Sequence, residues 1–293
     1  MDLFAHIEIT PNTVHRQEYF SVDNLLQIEP TRIERDLLGE KQIPLHSYYG
    51  IHTLRAIENF KISGLAVGQQ PHFIRALAQV KKASAQANLH FKKLPEQTSL
   101  VIQKACDELI QHPEAWQSAF PLDPYQGGAG TSINMNANEV IANIALEMSG
   151  HQKGDYHILH PNDHVNTSQS TNDVYPTALR LATYSSLDEL LNVLNALIEC
   201  IGQKAAEFKY VIKMGRTQLQ DAVPMTMEQE FRAFATLLKE DLKMIRQMRQ
   251  LLLEVNLGAT AIGTGVNTPP GYAKRVVETL VHLTGLPLKG AAD

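Results

Sequence analysis

The sequence predicts a mainly α protein, with an N-terminal mixed but mostly helical domain followed by part of a bundle of long helices. Three observations carry this prediction. Apolar residues recur at helical spacing over two very long stretches, residues 173–208 and 226–256. Their apolar arcs are wider than a helix on the outside of a domain needs. Strand signals are few, and no regular βαβ alternation appears.

In chain order, residues 1–30 read as a weakly organised leader. Residues 31–68 are mixed, with turn residues at Gly39, Pro44, Gly50 and Gly64. Residues 71–94 predict a helix with Phe73, Ile74, Leu77, Val80 and Ala87 on one face, ended by Pro95. A second helix follows over 96–112. The Pro- and Gly-rich residues 116–131 predict a loop, and 134–148 a helix stopped by Gly150. Residues 151–172 return to loop. The first long helix carries Leu179, Leu187, Leu190, Leu194, Leu197 and Ile201. A polar connection over 210–224 leads to the second, with Phe231, Phe234, Leu238, Leu242 and Ile245. A Gly/Thr/Asn-rich loop (258–271) and a short helix (272–284) close the chain. A boundary near Gln169 gives two domains, 31–169 and 170–293.

Composition excludes several classes. Apolar residues are 44% and charged residues 19%, enough to bury a core. The net charge of -5 is spread over both signs with no Lys/Arg run, so nucleic acid and anionic membranes are not expected partners. No apolar run reaches the ~18 residues of a membrane span, and residues 1–20 lack the basic start and apolar stretch of a secretory signal. The two cysteines, Cys106 and Cys200, lie in helical patterns and read as buried small apolar residues of a reducing compartment. Together these features point to the cytoplasm.

Three polar loops stand apart, each beside a helix. The first runs Gly127, Gly128, Ala129, Gly130, Thr131, Ser132, with Asn134, Asn136, Asn138 and Glu139 beyond it. The second runs from His160 through Asn162, Asp163, His164 and Asn166 to Ser168, Gln169, Ser170, Thr171, Asn172 and Asp173. The third is Lys213 to Asp221, including Arg216, Thr217, Gln218 and Gln220. Hydroxyls, amides and backbone N–H groups donate to carboxylates, and a helix N-terminus adds free N–H groups and partial positive charge. The plainer reading makes Ser170 to Asp173 a helix cap and Gly127 to Gly130 a turn. His157, His160 and His164 do not share a helical face, because Pro161 intervenes, so no metal is expected there. Gly263, Thr264 and Gly265 lack the third glycine and preceding strand of a dinucleotide loop.

Taken together, these loops resemble the fumarase/aspartase superfamily. Thr31 to Gly39 resembles its first motif, and Tyr48, Tyr49, Gly50, Ile51, His52, Thr53, Leu54, Arg55 and Ala56 follow it closely. Gly258 to Thr268 matches a later one. The resemblance covers residues 31–293 and leaves 1–30 unmatched. Gln218 after Arg216 and Thr217, where fumarases carry a histidine, is similar to the aspartate ammonia-lyases. That branch implies reversible elimination of ammonia from L-aspartate to give fumarate, with no metal or organic cofactor. It implies that Thr131, Ser170, Thr171 and Thr217 contact the carboxylate that takes up charge, and that Asn172 and Gln218 contact the amino group. It also implies a homotetramer whose sites combine segments of different subunits. Malate/fumarate hydration, as in class II fumarases, is the alternative chemistry.

The superfamily's signature run, with its basic serine and its carboxylate-holding Lys and Asn, does not occur in the 293 residues. No catalytic residue of that kind is therefore present, and the chain alone is expected to be inactive. The reading this favours is a fragment of a longer enzyme; a natural short form with a structural or interaction role is the other. Long helices without the rest of their bundle should expose a wide apolar surface.

Overall fold

A computed structural model describes residues 30–128 and 130–293. Apart from Pro30, the leader expected over residues 1–30 lies outside the described residues. The chain opens with an antiparallel hairpin, β1 (Thr31–Asp36) and β2 (Gly39–Pro44), in register Thr31 to Pro44. Leu37 and Leu38 form the two-residue turn, and Gly39, at φ 112°, opens β2 opposite Asp36 in a conformation that favours glycine. A short helix α1 (Ile51–Asn59) follows. It has no side-chain cap of its own; carboxylates distant in sequence serve instead. Glu139 accepts from the N–H groups of Gly50, His52 and Thr53 and from the Thr53 hydroxyl at 2.6–3.1 Å. Glu34 accepts from Ile51 N–H at 2.7 Å and pairs with Arg32 at 2.8 Å. Four otherwise unpaired N–H groups are thereby satisfied by two buried carboxyl groups at the positive end of the helix, where burial pushes the Glu139 carboxyl up to about 7 against the pull of these donors.

Helices α2 (Pro71–His90), α3 (Glu96–Gln111) and α4 (Thr131–Met148) build the core with the first turns of α5 (Thr171–Glu207). α2 is the hub and packs on α3, α4, α5 and α7 (Tyr272–Thr284). It ends at His90, four residues before the expected end, because Lys92 turns into the left-handed region at φ 55°. α4 begins at Thr131, three residues earlier than its apolar pattern suggests, and Pro113–Ala119 winds into 3-10 turns that run into the expected loop. Pro176 inside α5 cannot donate to the carbonyl of Asn172. That carbonyl instead accepts from Asn256 Nδ2 at 3.0 Å, so the helix runs on unbroken.

Beyond its first turns, α5 leaves the core and pairs with α6 (Met227–Leu251) as a two-helix arm. The arm's interior is Leu191, Ile198 and Leu242 with Leu194, Leu238 and Ile245 against them. At its tip is a feature the sequence reading missed. The polar connection is an antiparallel hairpin, β3 (Ile212–Thr217) and β4 (Gln220–Thr226), tied to α6 by Lys213 and Glu230 at 2.6 Å. Thr226 then caps α6 and Gln229 reaches back to it, a reciprocal capping box. A two-residue parallel pair, β5 (Glu254–Val255) with β6 (Lys289–Gly290), brings the chain back to the core.

Among the described residues the architecture is mainly α, with small two-stranded sheets only, in agreement with the expected class. Among the described residues no helix is long and apolar enough to cross a membrane. Cys106 is buried as expected, whereas Cys200 is exposed on the arm, where the sequence reading expected it to be buried.

Candidate functional site

Two helix starts converge. Gly130, at φ 86°, lets the chain turn into α4 while lying against the ring of Tyr175; a Cβ there would come within 2.3 Å of that ring. The first turn of α4 is thus seated on the first turns of α5. One turn beyond Thr131, Asn134 Nδ2 donates to Thr171 Oγ1 at 3.1 Å and to Asn166 Oδ1 at 3.3 Å. Thr131 and Asn172 are exposed at these starts, and Ser170 and Thr171 are half-buried.

The cap reading of Ser170 to Asp173 holds. Ser170 Oγ accepts from Asn172 N–H at 3.2 Å, and Asp173 Oδ1 accepts from Ser170 N–H at 2.9 Å. A hydroxyl that accepts one bond keeps its own proton to give, so capping does not exclude anion binding. Asp173 does more: its Oδ2 accepts from Gly258 and Thr260 N–H, both at 3.0 Å. Burial raises its carboxyl above the usual range, while those N–H donors hold it down. The 258–268 loop is thereby fastened over the start of α5. Asn172 Nδ2 donates to Ala261 O at 2.7 Å, which leaves Oδ1 as the amide atom able to accept from an ammonium. A cleft of about 560 Å³ opens here, lined by Asn166, Ser170, Thr171, Thr260 and Asn267 among others, with no Lys or Arg in its wall.

Thr217 and Gln218 are elsewhere. They sit exposed at the hairpin tip, at the far end of α5. A 37-residue helix is about 55 Å long, and a six-residue strand could retrace only about 20 Å of it. Within one chain the tip therefore cannot reach Ser170. The tip is also backbone-strained: Gln218 and Leu219 both hold left-handed φ values, 47° and 65°, where hairpins of this kind prefer Asn-Gly. Such strain concentrates where a side chain must be presented.

The histidines of the second loop serve its backbone. His160 Nδ1 accepts from Asn162 and Asp163 N–H, and His164 Nδ1 from His160 N–H. Sequence reasoning missed Lys81 and Asn88, which hold this loop from beneath through Asn166 Oδ1 and Thr167 O, both at 2.8 Å. The available signal was a polar stripe, Lys81, Ser84 and Asn88, on the otherwise apolar buried face of an amphipathic helix.

With this geometry in view, comparison with known proteins is decisive for the family. A family model described as "Lyase" matches residues 39–293. The chain belongs to this lyase family, within the fumarase/aspartase superfamily. An aspartate ammonia-lyase of Escherichia coli (strain K12) is 56% identical over 262 residues, covering 89% of this chain and 55% of that protein. Among solved lyase structures, a fumarate lyase:delta crystallin from Brucella melitensis, crystallised bound to cobalt, is 51% identical with a TM-score of 0.85. That match covers 90% of this chain and 57% of the other. A recombinant class II fumarase from Schistosoma mansoni is 35% identical with a TM-score of 0.78, over 87% of this chain and 53% of that one. The chain thus spans about half the length of the curated lyases it matches.

Proposed function

We propose that this chain carries part of the active site of an aspartate ammonia-lyase, which eliminates ammonia reversibly from L-aspartate to give fumarate. The observation that carries the reading is the seating of two helix starts, rich in hydroxyl and amide donors, against each other through Asn134 and Thr171, beside a cleft that the start of α5 lines and whose wall includes the carboxyl of Asp163. The difficult step is removal of a weakly acidic proton from the carbon beside a carboxylate. Charge then moves onto that carboxylate's oxygens, and donors already aimed at them lower the barrier. In this reading Thr131, Ser170 and Thr171 meet those oxygens, and Thr217 of another copy completes the set. The amide oxygens of Asn172 and Gln218 receive the amino group. The hairpin tip is too far from Ser170 to serve its own chain, so the proposed site needs another copy, and the family resemblance makes the proposed assembly a homotetramer.

The identity to proteins named aspartate ammonia-lyase supports the substrate, as does Gln218 at the tip. The base and the second carboxylate's partners belong to the signature run absent from these 293 residues, so in this reading the polypeptide does not release ammonia by itself. The test is a chimera in which residues 31–293 continue into the remainder of the E. coli relative, followed by fumarate absorbance. L-Aspartate should be consumed and L-malate not. Turnover of malate without aspartate would make the chemistry a hydration, and ammonia release by the unextended chain would refute the missing-base account.

A further inference from the structure

Lys81 is fully buried at the centre of the core, where a lone ammonium costs several kcal/mol. Its Nζ donates to Asn166 Oδ1 at 2.8 Å. An ammonium only donates, so this contact fixes which end of the Asn166 amide faces Lys81. The same oxygen accepts from Asn134 Nδ2, whose second hydrogen goes to Thr171 Oγ1. With a lone pair occupied by that N–H, the Thr171 hydroxyl has its own proton free for a cleft ligand. Asn134 Oδ1, buried and without a protein donor, adds to the polarity behind the cleft. The groups facing Lys81 are Asp173 on α5, committed to three N–H groups, and the thiol of Cys106 on α3; Tyr272 on α7 stands beside Ser84 and Asn88.

We propose that Lys81 is a positioning residue for the dicarboxylate site: through Asn166 and Asn134 it sets the direction of the Thr171 proton, and from behind the helix starts it supplies the positive charge that the cleft wall lacks. The inference rests on the dicarboxylate reading above and adds a residue that touches no substrate. Burial pulls the Lys81 ammonium down to about 7, with Asp173 acting against the shift, so its charge is present below neutrality and lost above it.

Calorimetric titration of fumarate, a dianion throughout, into the chain at about pH 6 and about pH 8 tests this, with folding checked by circular dichroism. A unit charge behind the site is expected to change affinity roughly fivefold. The unmodified chain should bind about fivefold more weakly at the higher pH. Lys81→Met should be about fivefold weaker at the lower pH and lose the Lys81 share of the pH dependence; any share of other groups on the adjoining loop stays. Asn134→Ala should weaken binding yet keep the pH dependence, and it decides the matter if Lys81→Met does not fold. A Lys81→Met chain with unchanged affinity and pH profile overturns the Lys81 role alone, as does an Asn134→Ala chain with unchanged affinity. No fumarate binding by the unmodified chain at either pH overturns the dicarboxylate reading itself and the Lys81 role with it.

Discussion

Single side chains fasten this molecule at points far apart in sequence. Asp123 accepts at one oxygen from Ile62, Ser63 and Gly64 N–H and from the Ser63 hydroxyl, and at the other from Tyr125 N–H. Burial alone would raise its carboxyl, but these donors prevail and hold it down to about 2. A carboxyl depressed in the folded state contributes stability above its unfolded pKa of about 4, and that contribution is lost as pH falls through about 2. The urea midpoint should therefore drop between about pH 4 and about pH 2, and Asp123→Asn should flatten that drop while lowering the midpoint at neutrality. Gly50 makes a steric prediction. A Cβ there would meet Tyr156 Oη at 2.5 Å, Glu34 Oε2 at 2.6 Å and Glu139 Oε1 at 2.8 Å, inside the clasp on α1. Gly50→Ala should cost about 3 kcal/mol in chemical unfolding.

At the scale of elements, the helices were legible in the sequence because burial sets their period. Residues 272–284 form the expected helix end to end, and 96–112 differs by one residue. The arm hairpin was not legible. Its turn is Gln218-Leu219, carrying neither glycine nor asparagine, and both strands are mostly exposed, so no alternation marks them. The donor-rich loops of the proposed site were legible, and two of them do lie at helix starts. What supports it from below was not, because Lys81 and Asn88 look like the other polar residues of an amphipathic helix. The strained turn yields its own prediction. A non-glycine residue in the left-handed region costs about 1–2 kcal/mol, so Leu219→Gly should slow hydrogen exchange of the hairpin amides by roughly tenfold. Faster exchange would mean that the turn is not strained as described.

For the whole molecule, the arm decides behaviour. α5 exposes Leu190, Val193 and Leu197, and α6 exposes Phe234, Leu237, Met244 and Met248, each at 46% or more. Apolar area of this kind on two long helices invites other helices to cover it. Sedimentation should find the chain associated at micromolar concentration, and Val193→Glu with Leu237→Glu should shift it towards monomer without loss of helix content. That surface bears on the proposed function, in which the hairpin tip of another copy meets Ser170.

The most direct test of a shared dicarboxylate site is complementation. One chain carries Thr131→Ala and Ser170→Ala, the other Thr217→Ala and Gln218→Ala, and fumarate affinity is measured for each alone and for the two mixed. Each lost donor costs about 1 kcal/mol, so each double variant alone should bind at least tenfold more weakly than the parent. The mixture should recover a population of sites with parental affinity. Undiminished binding by the Thr217 and Gln218 variant, or no recovery on mixing, would contradict the account.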